Sequence, residues 1–154
     1  MISQNIKTLI QFREFISVAT CGLNNRPNGA PKFLLKVEFN HIYLVDYTMG
    51  QTFRNLKENP QVSLSFFDIH TLVGYQINGQ AQIIESGSEY DQALQELEEK
   101  EVDLSATRII DGIAQGKAHQ AYEIAVPEKS IILKVKVEEI VQIHPTGKLK
   151  REKI

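Results

Sequence analysis

The chain has 154 residues, 42% hydrophobic and 23% charged, with a formal net charge of −2. That suffices for one core of ordinary domain size, and no region before the tail has the grouped Lys and Arg that nucleic acid needs as a main partner. One cysteine, Cys21, excludes an internal disulfide and fits a reducing cytoplasm.

No run reaches the roughly 18 apolar residues of a membrane span. The opening "MISQNIKTLIQFREF" lacks the continuous apolar stretch of a secretory signal. The expectation is a single cytoplasmic domain over residues 1–154, away from any membrane.

In chain order, Ile2 to Phe12 predicts a short amphipathic helix, because Ile6, Leu9 and Ile10 share a face. Phe15 to Cys21 reads as a strand, and "GLNNRPNG", Gly22 to Gly29, as a hairpin loop dense in turn formers. Ala30 to Phe39 is a second strand, Asn40-His41 a turn, and "IYLVDY" a third strand. Gln61 to Phe67 alternates with period two. Gly74 to Glu85 alternates as well, with Tyr75, Ile77, Gly79, Ala81 and Ile83 on one face. Gly79 inside it suggests a bulge or a close backbone approach, as where a barrel bends.

Ser88 then predicts a helix N-cap followed by acidic residues in the first turn. Tyr90, Leu94 and Leu97 continue a helical stripe, and "SATRIIDGIAQGK" holds a further turn or two. "AYEIAVP" and "SIILKVKVEEIVQI" read as strands, and the basic tail "KLKREKI" as a frayed, solvated terminus. Many short, mostly consecutive strands with peripheral helices predict a mainly β fold, a closed or nearly closed antiparallel barrel.

Motifs of common catalysis are absent. His41, His70, His119 and His144 show no i, i+4 pair, which speaks against zinc. No nucleotide-binding glycine loop and no G-x-S-x-G elbow occurs. Cys21 reads as a small buried or strand-end residue.

The segment "LVDYTMGQTFRNLKENPQVSLSFFD", Leu44 to Asp68, carries the most chemistry. Thr48 and Gln51 have capping-box spacing, with Thr48 as N-cap. Such a helix start offers unpaired backbone N–H groups around Met49 to Thr52. Thr48 and Thr52 add hydroxyls, and Gly50 lets a ligand approach, which together suit a phosphate. Arg54 and Lys57 add positive charge. A capped connector helix that binds nothing has the same features, so both readings stay open.

From Phe15 to Ile84 the chain resembles the FMN-binding split-barrel superfamily, best known from the pyridoxamine 5′-phosphate oxidases. "FISVATCGLNNRPNGAPK" is similar to the family's opening strand and turn. "DYTMGQTFRNLKENPQVSLSFFD" resembles its phosphate segment, and "GYQINGQAQII" its Gly-x-Ala strand. The resemblance implies a six-stranded antiparallel split barrel and a homodimer with FMN at the subunit interface. It implies that Pro31, Lys32 and Phe33 face the flavin ring through their backbone. The ribityl chain and phosphate would be held by Asp46, Tyr47, Thr48, Met49, Gly50, Gln51 and Thr52, with Asn55 nearby.

The chain departs from the family at Gln51, where many members carry Lys or Arg. Lys32 and Arg54 are the nearest substitutes. Lys32 is either a cation at the flavin edge or a solvent-facing strand lysine, and Phe33 packs either on the flavin or in the core. The implied activity is an FMN-dependent oxidoreductase acting on an unassigned small molecule, with NADH or NADPH as a candidate donor. Pyridoxamine 5′-phosphate is disfavoured as the substrate, because the tail "GKLKREKI" does not resemble that enzyme's C-terminal segment. The alternatives are a non-enzymatic electron carrier or flavin reservoir, or the same fold binding F420 or haem.

Overall fold

The structure, a computed structural model, describes residues 1–116 and 129–154. Its contacts divide the chain into two compact units, Met1–Glu85 with Ser130–Ile154, and Ser86–Lys129.

The first unit is built on strands β1 (Phe15–Cys21), β2 (Pro27–Glu38), β3 (His41–Asp46), β4 (Gln61–Asp68), β5 (Val73–Ile84), β6 (Ile131–Ile143) and β7 (Leu149–Lys153). Of these, β1, β4 and β5 alternate most clearly between core and surface. Every pairing is antiparallel, in the order β3-β2-β1-β4-β5-β6-β7. β3 also pairs with β6, through His41↔Lys136 to Asp46↔Ile131. That pairing closes β1 to β6 into a six-stranded barrel, which removes the open edges that a flat sheet would leave.

Closure packs Ile16, Val18, Leu34, Ile42, Leu44, Leu64, Ile77, Leu133 and Ile140 into one fully buried centre. Each such side chain stabilises the fold by roughly 1.5–3 kcal/mol relative to exposure. Helix α1 (Gln4–Gln11) adds Ile6 and Ile10 to this core, an i, i+4 pair on one face. Helix α2 (Gln51–Glu58) adds Leu56, with Met49 and Phe53 packed alongside.

The long strand β6 serves two partners on the edge away from β5. Ile131 to Lys136 pairs with β3, and Glu139 to Ile143 pairs with β7. The handover coincides with a register shift against β5, between Asn78↔Glu139 and Gly79↔Val137. Around it, Val137 N–H donates to the Asn40 carbonyl at 2.9 Å and Ile154 N–H to the Glu138 carbonyl at 2.9 Å. Gly79 is the residue that permits this bulge: a Cβ there would lie 2.1 Å from the Lys136 carbonyl oxygen. The close approach expected of Gly79 is therefore where the barrel splits.

Several sequence expectations are corrected. The tail is a paired strand, β7, although all five of its residues are exposed. Its partners are provided by the end of β6, which local composition does not reveal. The hairpin loop is shorter than expected, because Pro27, Asn28 and Gly29 already pair with Cys21, Thr20 and Ala19.

In the second unit, α3 (Ser88–Ala114) is one continuous 27-residue helix rather than a helix followed by a separate turn or two. Gly112 lies inside it without breaking it. Gly87, at φ 94, takes the N-cap in place of Ser88. The predicted strand "AYEIAVP" lies outside the described residues, as does His119. Among the described residues, no helix is long and apolar enough to cross a membrane.

A Gly79→Ala substitution is expected to lower stability by about 1–3 kcal/mol, the usual range for overpacking. Gly29→Ala is the control, since a Cβ there meets nothing within 4 Å, and should change stability by less than about 0.5 kcal/mol. Urea midpoints measure both, and equal midpoints for the two variants would contradict the role given to Gly79.

Candidate functional site

The segment between β3 and α2 is organised by one carboxylate. Asp46 ends β3, and its Oδ1 accepts the Thr48 N–H at 3.0 Å, the Thr48 hydroxyl at 2.9 Å and the Met49 N–H at 3.3 Å. An Asp bonding to backbone two and three residues ahead makes a tight local turn. The turn puts Met49 at φ 44, in the left-handed region, and passes the chain to Gly50 as N-cap of α2.

The expected capping box is therefore not formed. The Thr48 hydroxyl proton goes back to Asp46, and the helix starts at Gln51 with no side-chain cap. The Gln51 side chain runs forward to Asn55 Oδ1 at 2.7 Å, not back towards Thr48.

Lys32 completes the same cluster from β2. Its Nζ lies 2.8 Å from Asp46 Oδ1 and 3.5 Å from Thr48 Oγ1. The pairing of β2 with β3, with Phe33 opposite Val45, brings the two residues together. Lys32 is 5% exposed and Asp46 0%, so the solvent-facing reading of Lys32 is overturned.

Burial alone would raise the Asp46 carboxyl. The Lys32 hydrogen bond, the Thr48 N–H and hydroxyl, and the Lys32 charge together outweigh it and hold the group below its ordinary 3.8. Four donors on Oδ1 are the compensation that a desolvated ion pair requires. Asp46 Oδ2 is buried and has no hydrogen-bond partner among the described residues.

A second polar cluster anchors α2 to the barrel. Thr52 is 1% exposed and accepts from Asn28 Nδ2 at 3.1 Å, which leaves its own hydroxyl proton to donate. Asn55 is 2% exposed and donates to Thr20 Oγ1 at 3.1 Å. Glu58 Oε2 accepts the Leu23 N–H at 3.0 Å. Gly22 has room for no side chain here: a Cβ would lie 2.8 Å from Glu58 Oε2 and 2.9 Å from Asn55 Oδ1.

Both ends of Asn55 are thus engaged within the protein, and Asn28 and Thr20 join the cluster although sequence reasoning did not single them out. Asn28 lies in the stretch that reads as a loop, and Thr20 reads only as the end of an apolar strand.

The remaining expected residues sit nearby on β2 and β3. Pro31 is exposed. Phe33 is 4% exposed, edge-on to Phe15 at 5.7 Å and tilted against Tyr47 at 6.3 Å, so its ring lies in a packed aromatic row. An open groove of about 500 Å³ lies elsewhere, along β4 and β5, lined by Ser63, Ser65, Phe66, Phe67, Tyr75 and Gln76. None of the expected residues reaches it. Among the described residues, no group of three or more His, Cys, Asp or Glu is placed to hold a metal ion.

The start of α2 suits an anion. The first intrahelical bond is from the Arg54 N–H to the Gly50 carbonyl at 3.2 Å. The N–H groups of Gln51, Thr52 and Phe53, which precede it, have no helical acceptor, and the helix dipole favours negative charge there.

The Asp46 carboxylate yields a stability prediction. Its native value is depressed, so its contribution is complete above about pH 4, the unfolded value, and is lost as pH falls through the native value. Asp46→Asn leaves Lys32 buried without its counter-ion and is expected to destabilise the protein by about 3 kcal/mol at pH 7. Melting temperatures from pH 7 to pH 3 should show the gap to the native protein narrowing in acid. A gap of constant size would rule out the carboxylate charge as its source.

Comparison with known proteins agrees with this architecture. No curated protein matches the chain. Among solved structures, HupZ of Group A Streptococcus superposes with a TM-score of 0.67 at 26% identity, over 94% of this chain and 96% of that one. A Clostridium acetobutylicum protein related to general stress protein 26, of the pyridoxinephosphate oxidase family, gives 0.65 at 19% identity, over 97% and 92%. A pyridoxamine 5′-phosphate oxidase-related, FMN binding protein from Nostoc punctiforme gives 0.54 at 15% identity, over 96% and 90%. The sequence model for pyridoxamine 5′-phosphate oxidase matches residues 2–144. With that match over most of its length, on a closed six-stranded antiparallel barrel, the chain belongs to the pyridoxamine 5′-phosphate oxidase family.

Proposed function

We propose that this chain is an FMN-binding flavoprotein, an oxidoreductase that acts on a small molecule and holds its cofactor at a homodimer interface in the cytoplasm. The observation that carries the reading is the open N-terminus of α2, held at the end of β3 by the Asp46 turn. Family membership and the FMN binding named for the Nostoc relative support the same assignment.

The residues present fit a phosphate monoester. The N–H groups of Gln51, Thr52 and Phe53, together with the Thr52 hydroxyl, provide the donors. The Thr48 hydroxyl is engaged by Asp46 and serves the turn instead. Lys32 is neutralised by Asp46, so it orders the site and adds little net charge to it. Pro31, Lys32 and Phe33 on β2 would border the flavin ring through their backbone.

FMN, when bound, supplies the hydride or electron transfer, and the chain supplies orientation and electrostatics. This division of labour requires no side-chain acid or base to stand out, which agrees with the lack of a catalytic motif in the sequence. NADH or NADPH is the candidate electron donor.

The purified protein should take up FMN on titration and keep a flavin spectrum through gel filtration. Failure to bind FMN, or uptake of F420 or haem in its place, would overturn the cofactor assignment. Fast stopped-flow reduction by NADH or NADPH is expected of an oxidoreductase, and slow reduction by both would mark a carrier instead. Thr52→Val should weaken FMN about tenfold, the loss of one hydrogen bond to a charged group. Riboflavin, which lacks the phosphate, should be unaffected. Unchanged FMN affinity would misplace the phosphate.

A further inference from the structure

Closure of the barrel occupies both sides of β1 to β6, and among the described residues it leaves β7 as the strand with a single neighbour. The basic tail is thus the open edge of the sheet. The His144 N–H donates to the Lys148 carbonyl and the Ile154 N–H to the Glu138 carbonyl, each at 2.9 Å. Antiparallel pairing alternates, so Lys148, Lys150, Glu152 and Ile154 turn their backbone groups to β6. Leu149, Arg151 and Lys153 turn theirs outward, a row of N–H groups and carbonyls at strand spacing.

This edge is held stiff. Gly147, at φ 79, closes the turn with its N–H on the His144 carbonyl at 2.9 Å. Arg151 Nη1 lies 3.3 Å from Glu139 Oε2, which accepts Asn78 Nδ2 at 2.9 Å. Ser63 Oγ in turn donates to Asn78 Oδ1 at 2.9 Å, so side chains on four neighbouring strands are linked. At the far end Ile154 packs against the core. A strand fixed in this way loses little freedom when it gains a neighbour.

Charge selects the neighbour. Lys148, Lys150, Arg151 and Lys153 stand against one acid, Glu152. Lys148 and Lys150 make no ion pair among the described residues. Lysine on an edge deters pairing with a like strand, and two copies of this edge repel through their net charge. An acidic strand is attracted by the same residues. A phosphate or a lipid headgroup would use the N–H groups and leave the carbonyls unmatched, whereas an extended backbone matches both.

We propose that the outer edge of β7 is a docking strand for an acidic, extended peptide segment, which joins the sheet by backbone pairing. The inference is independent of the FMN reading. The probe is a fluorescein-labelled synthetic peptide of alternating glutamate and valine, about eight residues long, within the usual length of a strand. Fluorescence anisotropy should show it binding the native protein, more weakly as salt rises, while the same peptide with lysine for glutamate does not bind. Leu149→Pro removes an outward N–H and keeps every charge and every bond to β6, and should weaken binding about tenfold. Melting temperature checks that this variant is folded. In the free protein the amides of Leu149, Arg151 and Lys153 should exchange with solvent faster than those of Lys150, Glu152 and Ile154, and the peptide should slow them. A peptide that fails to bind, or that binds without slowing those amides, overturns the proposal. Equal binding of a short single-stranded DNA makes the edge a general polyanion surface and also overturns it. Protection of the same amides without peptide, rising with protein concentration, assigns the edge to a second copy and overturns it as well.

Discussion

One oxygen atom, Asp46 Oδ1, ties together the strand, turn and helix on which the candidate site depends. It receives the Lys32 ammonium, the Thr48 hydroxyl and two backbone N–H groups. Without these bonds Met49 has no reason to occupy the left-handed region, which costs a non-glycine residue about 1 kcal/mol or more. With them, the chain leaves β3 along one path and α2 begins at one residue. The stabilisation comes from charge and direction together, because a buried carboxylate with fewer donors would be neutralised or expelled.

The barrel supplies the frame in which that oxygen can be buried. β2 and β3 must lie side by side for Lys32 to reach Asp46, and β3 is pinned on its other edge by β6. β6 holds β3 and then β7 on the same edge because Gly79 lets the backbone of β5 pass close to Lys136 at the register shift. The bulge is remote from the site in sequence, yet the strand pairing it permits places the end of β3 where α2 packs on β1 and β2.

The charge distribution at the site follows from this frame. Lys32 is neutralised by Asp46 in the low-dielectric wall. The exposed cations of α2 are Arg54, held by Gln51 on the first turns, and Lys57, whose Nζ lies over the Phe53 ring. Family membership explains the barrel. The amide-tethered arginine is built by this chain's own side chains.

Much of this was legible in the sequence. Period-two alternation marks β4 and β5 to within a residue, because their one-sided burial writes itself into every second residue. The order Thr-turn-helix-Asn-Pro pointed to the region around Thr48 to Asn55. Gly79 signalled a close backbone approach, since a glycine inside a strand has little other use.

What tertiary structure decided was which partner each polar group chose. Thr48 and Gln51 have the spacing of a capping box, but Asp46 competes for the Thr48 hydroxyl, and its charge makes it the stronger acceptor. Lys32 alternates like a surface residue and is buried, because its counter-ion arrives from the neighbouring strand. The tail reads as solvated and becomes β7, because β6 presents it with unpaired backbone. The sequence by itself determined the elements and the neighbourhood of the site, which depend on local periodicity and chain order. Hydrogen-bond partners and burial of charge depend on residues far apart in the chain, and only the closed barrel brings those together.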